Sequence, residues 1–309
     1  MKRLFSINKA FNEFLFGASE VPLGNAFLIF FRISVPCLAM IDIFSLSTDW
    51  HAFFGQKGTI IPQELSYLRT EYFYHFDSFF GFLKRNNLTD LFYSNIVFLY
   101  VASLVSLGFG FLTRISAFVC LITQLTLFKS FPVFNYGYDQ FMTMSLFYCL
   151  IFPVGRFFSV DQQIFKIKSS GSLLPYRRIL QVHLCVVYFF SGIAKSFDPN
   201  WWNGNAIWRA TASFYTESYH FAPIILCLMS ISVILLEVTY PIFVNIKRTR
   251  NLMIIGVFLM HIGIGLIMEL FTFASIMLIW NLTAFLEFDR KTTHPKDLEI
   301  KSKIKLATS

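Results

Sequence analysis

A single lysine, Lys195, lies inside the stretch YFFSGIAKSFDPNWWNGNAIWR (Tyr188 to Arg209), where a hydrophobic segment gives way to an aromatic, polar loop. An amine in apolar surroundings loses hydration of its ammonium form, and a neutral amine is a competent base or nucleophile. A carboxylate beside it pulls the other way, toward an ordinary charged pair. A lysine at this place also reads as an anchor whose stem snorkels to water. Gly192, one turn earlier, lets a backbone or a ligand come close, and Asp198-Pro199 ends the helix just beyond. Trp201, Trp202 and Gly204 then offer aromatic faces and a turn over the same opening. The tryptophan pair reads equally as an anchor at the headgroup level.

The other ionisable groups inside apolar runs are Arg32, Asp42, Glu237, His261 and Glu269. Charges at membrane depth are costly, face the interior of a bundle and take partners. Arg32 and Asp42 are ten residues apart, about 15 Å of helical rise, so they cannot pair with each other. Depth along the segments predicts a structural ion pair between Arg32 and Glu237, and places Lys195 level with Asp42. His261, near the middle of its segment, either bonds a neighbouring helix or belongs to a site. Lys129 reads as a snorkelling residue.

These residues need elements to hold them. The 309-residue chain is 55% hydrophobic and 14% charged, with 40 Phe and a mean hydropathy of +0.58. A soluble domain is roughly a quarter charged. The composition therefore implies an all-α, polytopic transmembrane helical bundle. About eight spans are expected, at 25–46, 94–112, 115–133, 140–154, 179–197, 222–245, 252–269 and 271–287. The seventh and eighth nearly touch and predict a tight helical hairpin. Residues 1–24 read as an amphipathic segment on the cytoplasmic surface, 25–288 as the transmembrane domain and 289–309 as a basic cytoplasmic tail.

The net charge of +8 is distributed as an orientation signal, which argues against a nucleic-acid partner and for the lipid bilayer. With both termini inside, the cytoplasmic face collects Lys2, Arg3, Lys9, Arg114, Arg156, Lys166, Lys168, Arg177, Arg178, Lys247, Arg248, Arg250 and the tail. The opposite face holds Lys57, Arg69, Lys84, Arg85 and Arg209. The five cysteines fall in apolar runs without CxxC spacing and predict neither a metal nor a disulfide framework.

Several stretches together resemble the HTTM (horizontally transferred transmembrane) domain family, related to the membrane portion of vitamin K-dependent γ-glutamyl carboxylase. They are FFRISVPCLAMIDIFS, LGFGFLTRISAF, FNYGYDQFMTMSLFYCLIFPVGRFFSVD, VYFFSGIAKSFDPNWWNGNA, LLEVTYPIFV and MHIGIGLIMELFTFASIM, in family order. The resemblance implies that Lys195 matches the carboxylase's active-site base, which acts on a quinone cofactor, vitamin K hydroquinone. A looser match adds interest to His261. The carboxylase has a catalytic histidine ahead of its WSVD stretch, and Tyr138 stands at that place here, beside Asp139. The implied catalytic set is thus Lys195, His261, Asp139 and Tyr138, with Asp42, Trp201, Trp202 and Gly192 around the ligand. The carboxylase's large lumenal region after the bundle has no counterpart in this sequence. That points away from carboxylation of protein glutamate by this chain alone, and toward quinone-linked base chemistry or maturation of a secreted peptide with a soluble partner. A carrier and a non-catalytic membrane scaffold are the alternatives.

Overall fold

The computed structural model describes residues 24–54, 74–128, 135–167, 172–212 and 221–285, and among them every regular element is helical. In chain order these are α1 (Ala26–Ser45), α2 (Trp50–Phe54), α3 (Tyr74–Arg85), α4 (Thr89–Phe109), α5 (Thr113–Phe128), α6 (Gly137–Ile151), α7 (Val160–Phe165), α8 (Leu174–Ser196), α9 (Pro199–Trp202), α10 (Asn205–Thr211), α11 (Pro223–Phe243), α12 (Arg250–Ile267) and α13 (Phe271–Phe285). The amphipathic N-terminal segment, the basic tail and Lys129 fall outside the described residues.

Each expected span corresponds to a helix. Among the described residues five, α1, α4, α8, α11 and α12, are long and apolar enough to cross a membrane, while α5 and α13 are shorter apolar helices. Their outer faces carry large apolar side chains such as Phe98, Leu252, Leu259 and Ile224, as expected where the surrounding solvent is hydrocarbon. The helix boundaries follow the backbone chemistry of the sequence. Gly110 closes α4 in the left-handed region at φ 72°, where glycine carries no Cβ penalty. Pro153 ends α6 by forcing Phe152 into an extended conformation. Pro199 and Pro223 sit in the first turns of α9 and α11, where a missing N–H costs nothing. The break between α12 and α13 is Glu269, at φ 57°, and the two helices pack on each other as the hairpin expected from the sequence.

α13 stands at the centre, in contact with α1, α6, α8 and α12. Its Trp280 is fully buried, donates to Ser145 Oγ at 2.8 Å, and is met edge-on by Phe141 and His183. α8 packs along α11 in an antiparallel register fixed by Gly192. A Cβ there would lie 2.8 Å from the backbone nitrogen of Val238 and 2.9 Å from Cβ of Glu237. This register differs from the one that equal spans imply. Glu237 lies fourteen residues, about 21 Å of rise, beyond the first residue of α11. The end of α8 is therefore deep along α11, and α9 and α10 fill the level above it. Gly204, at φ 82°, seats their corner against the backbone of Leu226 and Cys227.

Candidate functional site

The register of α8 on α11 brings Lys195 to Glu237. The two side chains form an ion pair, with Nζ 2.7 Å from Oε2, and are 21% and 7% exposed. Lys195 also donates to Ser191 Oγ, one turn back on the same helix. The indole ring of Trp201 stands 5.3 Å from Nζ, within cation–π range. Trp202 donates from Nε1 to Ser196 O at 2.8 Å, which ties α9 back onto the end of α8. Trp201 thus covers the lysine, while Trp202 is half exposed.

The predicted pair of Arg32 with Glu237 does not form. Arg32, 1% exposed, donates through Nη1 to Val154 O at 3.1 Å and Phe157 O at 2.9 Å, and through Nη2 to Phe158 O. α1 packs on α4, α6 and α13, whereas α11 packs on α8, α10 and α12. The depth argument assumed that Lys195 ends its span at the far surface, which left Glu237 to the only other cation at its level. Because α8 stops deep in the bundle, Glu237 meets Lys195, and Asp42 is not the partner of Lys195.

The junction around Arg32 extends through Asp161. Its carboxylate accepts from Leu112 N at 2.7 Å, from Thr113 N at 2.8 Å and from the Thr113 hydroxyl. It thereby caps the first turn of α5. Gly110 and Gly155 make room. A Cβ at Gly110 would lie 2.5 Å from Cβ of Ser159 and 2.7 Å from Nη1 of Arg32, and one at Gly155 would lie 2.5 Å from Oγ1 of Thr113. The stretches LGFGFLTR and FPVGRFFSVD are the two halves of this junction.

A family model for the HTTM domain matches residues 21–289, nearly the whole chain. The chain belongs to the HTTM family. No curated protein and no solved structure matches it. Membership and the long apolar helices together make this a membrane protein.

The remaining residues of the predicted HTTM site fall into two groups. His261, 2% exposed, joins Lys195. Its Nε2 is 2.8 Å from the hydroxyl of Tyr188, on the helix that carries Lys195. Tyr188 is seven residues before Lys195, on the same face of α8. Asn281 of α13 completes this network, with Nδ2 2.9 Å from the Tyr188 hydroxyl and Oδ1 accepting from Tyr240 at 2.7 Å. Tyr138, Asp139 and Asp42 form the second group. Asp139 caps α6 by accepting from Tyr136 N at 3.0 Å. Asp42 is acted on by Asp139 and Tyr138, and the buried Tyr138 hydroxyl makes no hydrogen bond of ordinary geometry. Phe273 stands between the groups, with its ring 5.8 Å from that of His261 and against the backbone of Gly137.

Sequence reasoning missed Ser191, Tyr188, Tyr240 and Asn281. The signal was available for three of them. Tyr188, Ser191 and Lys195 recur at helical spacing. The lone amide in IWNLTAF marked Asn281. On its other side α11 borders an apolar groove of about 410 Å³, lined by Met229, Val233, Leu236, Gly256, Met260 and Gly263 among others.

Proposed function

We propose that this HTTM protein carries out proton-transfer chemistry on a flat, lipid-soluble substrate of the quinone class, with Lys195 as the group that exchanges the proton. The observation that carries this reading is the partner of Lys195. A snorkelling anchor extends its ammonium to water. Here the ammonium turns inward to a carboxylate that is 7% exposed, on another helix.

Such a pair can pass a proton between its members. Moving it from Lys195 to Glu237 leaves a neutral amine and a neutral acid, and the amine can then take a proton from a substrate hydroxyl. Ser191 holds the amine in place through this exchange. The aromatic face of Trp201, 5.3 Å from Nζ, suits a flat ring system there. A bound hydroquinone supplies an acidic hydroxyl there and, after deprotonation, reactivity toward oxygen. Both termini on the cytoplasmic side, eight crossings, and a secreted peptide matured with a soluble partner complete the proposal.

A structural clamp is the second reading, favoured by the close α8–α11 contact at Gly192. Lys195→Arg separates the two. Arginine keeps the charge and the carboxylate partner but does not release its proton. Loss of the dependent phenotype with normal insertion supports the base, and wild-type behaviour supports the clamp.

A further inference from the structure

The hydrogen bonds around Asn281 have a direction. Its Nδ2 is 2.9 Å from the carbonyl oxygen of Met277, which can only accept, so that atom is the amide nitrogen. Nδ2 therefore also donates to the Tyr188 hydroxyl, and Oδ1 accepts from Tyr240. The Tyr188 hydroxyl proton then has one acceptor in reach, Nε2 of His261. If His261 instead carried its proton on Nε2, the Tyr188 proton and the Nδ1 lone pair would both be stranded. Protonation on both nitrogens would strand the same hydroxyl proton. Buried polar groups are nearly always matched, and the arrangement with the fewest losses places the histidine proton on Nδ1. Nδ1 itself is buried without any partner.

We propose that the Nδ1–H of His261 donates a hydrogen bond to a neutral acceptor oxygen of the lipid-soluble ligand bound beside Lys195, the second ring hydroxyl of a hydroquinone or the matching carbonyl of a quinone, and that Asn281 and Tyr188 are positioning residues that fix this tautomer. The inference rests on the reading of Lys195 as the proton-exchanging group and names what the ligand must carry beyond a hydroxyl. Phe273 meets the His261 ring edge-on, with 5.8 Å between the ring centroids, and Tyr188 links that ring to the helix that carries Lys195. A charged oxygen is not required, because Lys195 is already matched by Glu237. A carbonyl oxygen in an apolar, aromatic setting satisfies the donor, which otherwise stays buried and unpaired.

Nitrogen NMR of the full chain in nanodiscs with 15N-labelled histidine tests this, the His261 signal being assigned by its loss in His261→Gln. The expected spectrum shows Nδ1 protonated and Nε2 as acceptor. Asn281→Asp should move the proton to Nε2, because Tyr188 would then donate to the carboxylate. Tyr188→Phe, a milder change, should abolish the preference between the two nitrogens. A short-chain naphthoquinone should shift the Nδ1 resonance, and Asn281→Asp should weaken its binding by up to about tenfold, the share of one hydrogen bond. Protonation on Nε2 in the wild type, or an Nδ1 signal that the naphthoquinone leaves unmoved, overturns the proposal. The spectrum requires no turnover. Retained function in Lys195→Arg together with a normal Nδ1 response therefore overturns the base role of Lys195 and upholds the donor role of His261.

Discussion

Arg32 and Lys195 are both cations held among apolar helices, and the chain treats them differently. Around Arg32, backbone carbonyls take the guanidinium, Asp161 takes the backbone N–H groups of α5, and two glycines let the parts close on each other. Among the described residues of that junction, Arg32 Nε is the one buried side-chain nitrogen or oxygen without a partner. Around Lys195 the ion pair stays partly open, with the lysine side chain 21% exposed. His261 Nδ1 is buried without a partner, and the Tyr138 hydroxyl makes no hydrogen bond of ordinary geometry. A closed network of this kind holds loops and helices in register. An open one keeps bonding capacity for something that arrives later.

On this difference, the junction should be the more fragile of the two toward substitution. Asp161→Ala removes a buried acceptor of three hydrogen bonds and leaves two backbone N–H groups unmatched. The expected cost is about 3–5 kcal/mol, read as a large drop in thermal midpoint in detergent, with or without any ligand. A midpoint close to wild type would mean that the junction is not closed by Asp161.

At the other site the expected losses are smaller. Gly192→Ala drives a Cβ toward the Val238 backbone and should cost about 1–3 kcal/mol while separating Lys195 from Glu237. Glu237→Gln should cost less than the ~3–5 kcal/mol typical of breaking a fully buried pair, since the Lys195 side chain is only partly buried. Coupling in a double-mutant cycle of Lys195→Met with Glu237→Gln should be clear. The smallest effect concerns Arg32 and Glu237, which share no partner. Arg32→Met and Glu237→Gln should add within about 0.5 kcal/mol, and strong coupling between them would restore the pair that sequence depth suggests.

The helices were legible because lipid exposure leaves long apolar runs with proline and glycine at their ends. Pro153, Pro199 and Pro223 mark real boundaries for that reason. The register between helices was not legible. It depends on Gly192, whose missing side chain lets α8 stop deep along α11, and no periodicity in either segment encodes that offset. Hence Glu237 was assigned to Arg32. Asp161 and the glycines at 110 and 155 lay in quoted family stretches, but their partners are far apart in sequence, and only the folded chain joins them. Asn281 was visible as an amide in an apolar run, though its direction of hydrogen bonding required the carbonyl of Met277.

The most direct test of the account compares Lys195→Arg with wild type at equal membrane abundance, reading the dependent phenotype or turnover of a lipid-soluble quinol. The account predicts normal insertion and thermal stability, an intact ion pair with Glu237, and loss of function. Function at the wild-type level in Lys195→Arg would contradict it and leave the Lys195–Glu237 pair as a clamp between α8 and α11.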